Sequence, residues 1–118
     1  MSLNVRKLGE EPGEPFPGEG NRGVYSVMLV DETPVESYSC RVLRIEPGGG
    51  TGMHSHPRAH VVVALSGRAR VETGQDEREL GAGSLVSIPG GMPHRFVNVT
   101  GRPAALMVQN LFPRPGGS

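Results

Sequence analysis

Glycine and proline interrupt this chain so often that neither a long helix nor a long unbroken run of apolar residues fits in it. The 118 residues include 18 glycines and 11 prolines, close to the level of about 25–30% at which low complexity becomes a concern. Their placement answers that concern. Most fall between short runs rich in Val, Ile and Tyr, and the runs recur about every eight to twelve residues, as in a sandwich or barrel. Strands are expected near 24–30, 38–46, 60–66, 68–73, 84–88, 94–99 and 104–111, where β-branched and aromatic side chains favour extended backbone. An acidic hairpin is expected at Thr73–Arg78, and Pro34–Tyr38 has room for one helical turn. No segment carries the 3.6-residue period of an amphipathic helix. The expected fold class is all-β: a single barrel over 24–112, after a Gly/Pro/Glu-rich lead-in (1–23) and before a frayed tail (113–118). The acidic, proline-rich part of the lead-in, 9–23, has no periodicity and is expected to be mobile or draped over the surface.

The charge balance narrows the partners. Twelve basic and twelve acidic residues cancel, and no basic stripe is present, which argues against nucleic acid and anionic membrane surfaces. Three Phe, two Tyr and no Trp also argue against a base-stacking platform. No apolar run exceeds the five residues of Val61–Leu65, far shorter than a membrane span. The single cysteine, Cys40, rules out an internal disulfide, and with no signal-like run at the start the expected location is the cytoplasm.

All four histidines fall in two short stretches. His54, His56 and His60 follow the glycine-rich segment from Gly48, and His94 follows Pro89-Gly-Gly-Met-Pro93. Alternation places His54 and His56 on one side of an extended segment, while His60 opens the next strand and His94 belongs to a different hairpin. A lone histidine is ordinarily a hydrogen-bonded or surface residue. Four of four gathered in two glycine- and proline-framed turns point instead to a metal site, since imidazole suits zinc, copper, iron and nickel.

The spacing of these stretches resembles the two motifs of the cupin superfamily. Gly48, His54, His56 and Gly67 match the first motif, and Gly83, Pro89, Gly91, His94 and Asn98 match the second at every fixed position. The resemblance covers about residues 47–98 and implies a cupin (jelly-roll, RmlC-like) β-barrel. It departs from the pattern at one point. His60 stands where the motif has a glutamate ligand, and its neighbour is Val61. The set His54, His56, His60 and His94 is similar to that of small single-domain cupins with all-histidine sites, among them a manganese-binding type and zinc-dependent polyketide cyclases. The resemblance thus implies one divalent transition metal, manganese first, with Fe, Zn, Ni or Cu as other occupants. It also implies a homodimer in which N-terminal strands extend the partner's sheet. An exposed edge near 24–30 permits that, although 9–23 could equally cover the edge. Four neutral ligands leave a divalent ion its full +2 charge, whereas a glutamate would lower it to about +1, so an anionic or chelating small-molecule substrate is favoured.

Other residues are candidates for the substrate pocket. Arg58 lies between ligands and could steer an anion, although a solvated arginine is the more ordinary reading. Phe96 and Asn98 share the side of His94, Phe96 as core or pocket wall and Asn98 as a turn or supporting hydrogen bonder; Arg95 alternates outward. Met53 and Met92 flank ligands and suggest an apolar rim. Gln109 enters the pocket if the last strand turns Ala105, Met107 and Gln109 inward; the opposite phase turns it out. On 38–46 both faces are mixed, so Cys40 is either core or pocket lining. No Ser or Cys pairs with an uncommitted histidine, which sets aside nucleophilic triads. Glu46 and Glu72 sit at strand ends, and Asp31, Asp76, Glu77 and Glu79 read as exposed charges, which sets aside paired carboxylates. The catalytic acid or base is not identified. The expected function is a metal-dependent oxidoreductase, dioxygenase-like, acting on a small chelating substrate. The alternatives are a non-redox Lewis-acid isomerase, cyclase or lyase, and a non-catalytic binding or sensing cupin.

Overall fold

The computed structural model describes residues 6–30 and 38–112; the helical turn expected from Pro34 and the tail from Pro113 lie outside them. One 3-10 turn, Leu8–Glu10, precedes nine strands: β1 (Glu14–Pro15), β2 (Arg22–Val30), β3 (Tyr38–Gly50), β4 (Ala59–Ser66), β5 (Arg68–Thr73), β6 (Glu77–Gly81), β7 (Leu85–Ile88), β8 (His94–Val97) and β9 (Ala104–Leu111). All pairings are antiparallel, in the order β6-β5-β8-β3-β9-β4-β7, and β2 carries β1 onto the remaining edge of β3. The result is a nearly closed antiparallel barrel. No helix among the described residues is long and apolar enough to cross a membrane.

β3 makes the barrel possible. From Tyr38 to Ile45 it pairs with β9 and, from Cys40, with β2; at Gly50 it pairs with Val97 of β8. Between those points the register shifts, and β3 turns from one sheet into the other, a corner of the kind that bulges provide. Gly49 permits the corner, because a Cβ there would lie 2.6 Å from the Arg22 carbonyl oxygen. Gly67 of the first motif has φ +69° between β4 and β5, and a Cβ there would collide with the Pro103 carbonyl.

The expected strands are present with small shifts in their ends. The acidic hairpin exists, closed by the Thr73 N–H donating to the Asp76 carbonyl at 2.8 Å, but it continues into the additional strand β6. The lead-in is also structured over its described part. Glu14 and Pro15 pair with Ser26 and Tyr25, covering part of the β2 edge. The Phe16 N–H donates to the Val24 carbonyl at 2.9 Å, and the Arg44 guanidinium donates to the carbonyls of Leu8 and Glu11.

Cross-strand rows fix which side chains enter the barrel. Leu43, Leu106 and Ala64 form one inward row, and Arg41, Val108, Val62 and Val86 the next. The third row is polar: Ser39, Asn110 and His60, with Ile88 at its end. The apolar rows, with Ile45, Val71, Leu80 and Phe96, form a continuous core, and the polar row caps it at one end. Cys40 is buried but belongs to the opposite face of β3 and does not line the cavity at that end. Glu72, at the end of β5 as expected, is buried: it accepts from Arg70 Nε and Arg95 Nε, both at 2.7 Å.

Asn98, the last fixed residue of the second motif, is 1% exposed and ties three segments together. Its Nδ2 donates to the Ile45 carbonyl at 2.9 Å and the Arg102 carbonyl at 2.7 Å, while Oδ1 accepts from the Thr100 N–H and hydroxyl. Asn98→Ala leaves several buried groups unsatisfied. It is expected to cost about 2–4 kcal/mol, read as a lower urea midpoint with an unchanged denaturant slope.

Candidate metal centre

His60 in the polar row and His94 on β8 line one cavity of about 370 Å³, and both are buried. His60 is at the start of β4 and His94 at the start of β8, while His56 lies in the loop before β4. Backbone bonds stitch the two ligand-bearing loops together. His54 and His94 exchange N–H···O bonds at 2.9 Å each, and the Gly91 N–H donates to the His56 carbonyl at 2.6 Å.

The rings of His56, His60 and His94 converge. Their centroids are 4.9 Å (His60–His94), 5.3 Å (His56–His60) and 5.5 Å (His56–His94) apart, and one ring nitrogen from each lies within 4.8 Å of the others. The hydrogen bonds behind two of the rings set their tautomers. His60 Nδ1 lies 2.7 Å from Asn110 Oδ1, and His94 Nδ1 lies 2.8 Å from the Met92 carbonyl oxygen. Both partners only accept, so each Nδ1 carries the proton and each Nε2 presents a lone pair. His60 Nε2 is the one buried side-chain nitrogen or oxygen without a hydrogen-bond partner among the described residues. Such an atom is costly unless something binds it. Three neutral imidazoles, two of them oriented through Nδ1, fit a divalent transition metal.

Electrostatics keep the rings neutral. Burial, with Arg58 and the neighbouring histidines, lowers His56 and His60 to pKa values of about 4, and burial also lowers His94. Metal binding in the neutral pH range therefore need displace no proton from His56 or His60.

His54 stands apart from this trio. It lines the same cavity, but its ring centroid is 6.1 Å from that of His56, and its Nε2 is 2.7 Å from the Glu19 carbonyl oxygen. That bond ties it to the lead-in, where Asn21 also accepts from the Gly52 N–H at 2.9 Å.

The pocket candidates divide. Phe96 and Arg58 line the cavity; Phe96 packs against His94 with centroids 5.8 Å apart, and Arg58 Nε donates to Asn110 Oδ1 at 3.3 Å. Met53 (46% exposed) and Met92 (40% exposed) do not line it, and Met92 contributes through its carbonyl. Gln109 is on the outer phase of β9, where its Oε1 accepts from the Tyr38 hydroxyl at 2.9 Å. Its neighbour Asn110 takes the inward place, because β9 buries Ala104, Leu106, Val108 and Asn110. Asn110 also donates to Ser39 Oγ at 3.0 Å. A one-residue change of phase thus exchanges the two amides. The alternation of Leu106 and Val108 is the sequence signal that could have selected Asn110. Sequence reasoning also missed Phe16 in the lead-in and Arg41 on β3, both of which line the cavity.

Two outcomes are expected. Above about pH 7 the stability of metal-free protein is insensitive to these rings. Between about 6.5, the value in an unfolded chain, and about 4 the unfolded chain takes up protons that folded His56 and His60 refuse, so stability falls. Urea midpoints across that range should fall less steeply for His60→Leu than for the parent. Asn110→Leu removes the acceptor behind His60 and should weaken zinc binding about 10–100-fold, measured by chelator competition. Asn110→Asp should restore the affinity.

A match to the Cupin domain family covers residues 41–109, and the chain belongs to that family. No curated protein sequence matches it. Among solved structures it is similar to the polyketide cyclase RemF from Streptomyces resistomycificus, with 25% identity and a TM-score of 0.83 over 98% of this chain and 82% of that one. It is also similar to a Cupin 2 conserved barrel domain protein from Salinispora arenicola, with 21% identity and a TM-score of 0.77 over 94% and 90% of the two chains. A cupin-superfamily sugar phosphate isomerase from Silicibacter pomeroyi shows 22% identity and a TM-score of 0.74 over 93% and 76%. The last two likenesses speak for the fold alone.

Proposed function

We propose that this cupin is a metal-dependent enzyme of non-redox, Lewis-acid type that acts on a small polycarbonyl substrate, as a cyclase or related isomerase or lyase. The observation that carries this reading is the convergence of three neutral imidazoles in a cavity that no aspartate or glutamate among the described residues lines. The likeness to a polyketide cyclase over nearly the whole chain supports the same class.

The chemistry a bound divalent ion supplies is polarisation of a carbonyl oxygen, which acidifies the adjoining C–H. The remaining work falls to the chain. Phe16, Leu43, Phe96 and Val108 give the cavity apolar walls, which exclude water and favour a folded, compact substrate. Arg58, one of the charges that hold the three histidines neutral, stands where negative charge on an enolised substrate would be stabilised.

His54 is the fourth ligand in this reading. It lines the same cavity and joins the set when its ring turns from the Glu19 carbonyl. Manganese or zinc would fit the imidazole donors, and metal analysis of purified protein identifies the occupant. Alanine substitution of His56, His60 or His94 should abolish stoichiometric binding, while His54→Ala retains it with affinity reduced about 10–100-fold.

Oxygen separates this reading from an oxidoreductase that uses the same histidines. Zinc-loaded protein should convert poly-β-ketones under argon as fast as in air. Turnover that demands oxygen together with manganese or iron would return the chain to the dioxygenase-like class.

A further inference from the structure

A strap of the lead-in forms one wall of the histidine cavity. β1 ends at Pro15 and β2 begins at Arg22, so the residues between them belong to no strand, and Pro17, Gly18, Glu19 and Gly20 are exposed. Pro17, Gly18 and Asn21 nevertheless line the cavity. Asn21 folds the strap: its N–H donates to the Gly18 carbonyl at 3.1 Å, and its Nδ2 donates to the carbonyls of Phe16 and Pro17 at 3.3 and 3.2 Å. The folded strap rests on the ligand-bearing loop. The Gly52 N–H donates to Asn21 Oδ1 at 2.9 Å, and His54 Nε2 donates to the Glu19 carbonyl at 2.7 Å. The approach is close enough to require glycine on both sides. A Cβ on Gly20 would lie 2.9 Å from Gly52 Cα, and one on Gly52 would collide with the Glu19 carbonyl.

We propose that this strap is a lid that metal binding releases, because its docking and the ligation of metal compete for the His54 ring. The compact group of ligands is His56, His60 and His94, and His54 joins it only by leaving the Glu19 carbonyl. That carbonyl is exposed, so water takes the place of the ring and the exchange costs the strap little. Pro17 to Gly20 then swing away from Gly52 and open the cavity wall that they formed. Substrate gains access to a loaded site, while a site without metal stays covered. The coupling is reciprocal: whatever lifts the strap frees His54 and tightens metal binding. The lid rests on the reading of His54 as the fourth ligand, and not on the reaction that the metal serves.

The test is cleavage of the full chain by a glutamate-specific protease, read by mass spectrometry at the bond between Glu19 and Gly20. Cleavage there tracks the fraction of chains with the strap undocked. Saturating zinc should speed this cut about 5–150-fold in the parent protein, the usual range of coupling between two sites. In His54→Ala the cut should be fast already and indifferent to zinc. Gly20→Ala pushes the strap off Gly52 without altering an imidazole. It should bind zinc more tightly than the parent in chelator competition, by up to the factor through which zinc frees the strap. Cleavage that zinc slows or leaves unchanged overturns the proposal, and so does Gly20→Ala protein that binds zinc no more tightly than the parent. In either case a lower zinc affinity of His54→Ala keeps His54 as a ligand, so that the lid alone falls; an unaltered affinity removes both. Neither readout involves turnover, so a failure of the Lewis-acid chemistry is seen separately, in the reactions under argon.

Discussion

The row of side chains that joins Ser39, Asn110 and His60 across β3, β9 and β4 holds the metal-competent end of this barrel together. Asn110 sits at its centre, and its amide is used on both sides: the oxygen accepts from the His60 ring and the nitrogen donates to Ser39. An amide in that position satisfies two buried neighbours and leaves His60 Nε2 facing the other imidazoles without a partner. The backbone ladders on either side make the row rigid, because moving any one of the three residues by one position would turn its strand inside out. The orientation of His60 is therefore a property of three strands rather than of one side chain.

The same pleat separates the two kinds of work that the inner face performs. Apolar rows from Leu43, Leu106, Val62 and Phe96 supply the hydrophobic core, the main source of stability in a domain of this size. The polar row at one end interrupts that core at a cost, since buried imidazoles must stay neutral and find partners. The depressed pKa values of His56 and His60 record that cost. Asn98, buried at the motif's far end, performs the complementary task of tying the β8 turn to β3.

The lead-in does more than cover an edge. Its Phe16 and Asn21 form part of the cavity wall, and the Glu19 carbonyl holds His54 outside the compact trio. A segment that reads as acidic, proline-rich and without period thus decides the shape of the site's mouth. Nothing in its local pattern announces this, because a proline-rich segment gains its order from the sheet it lies on rather than from its own periodicity. The trio and the fourth histidine consequently differ in kind: the former are set by the barrel, the latter by a peripheral segment.

The positions of seven strands, the presence of a barrel and the four histidines as candidate ligands were legible in the chain by itself; the order of the strands in the sheet was not. Alternation, turn residues and motif spacing are local, and local chemistry dictates them. The inward phase of β9 and β3 was not legible, because both faces carry plausible residues: Gln109 beside Asn110, and Cys40 and Val42 beside Ser39 and Arg41. Only pairing with neighbouring strands selects a face, and that selection exchanged Gln109 for Asn110 and brought Arg41 into the cavity. The sequence determined which chemistry the chain carries. Tertiary structure decided which atoms share a cavity, since a side chain's direction in a sheet is fixed by ladders that join residues dozens of positions apart.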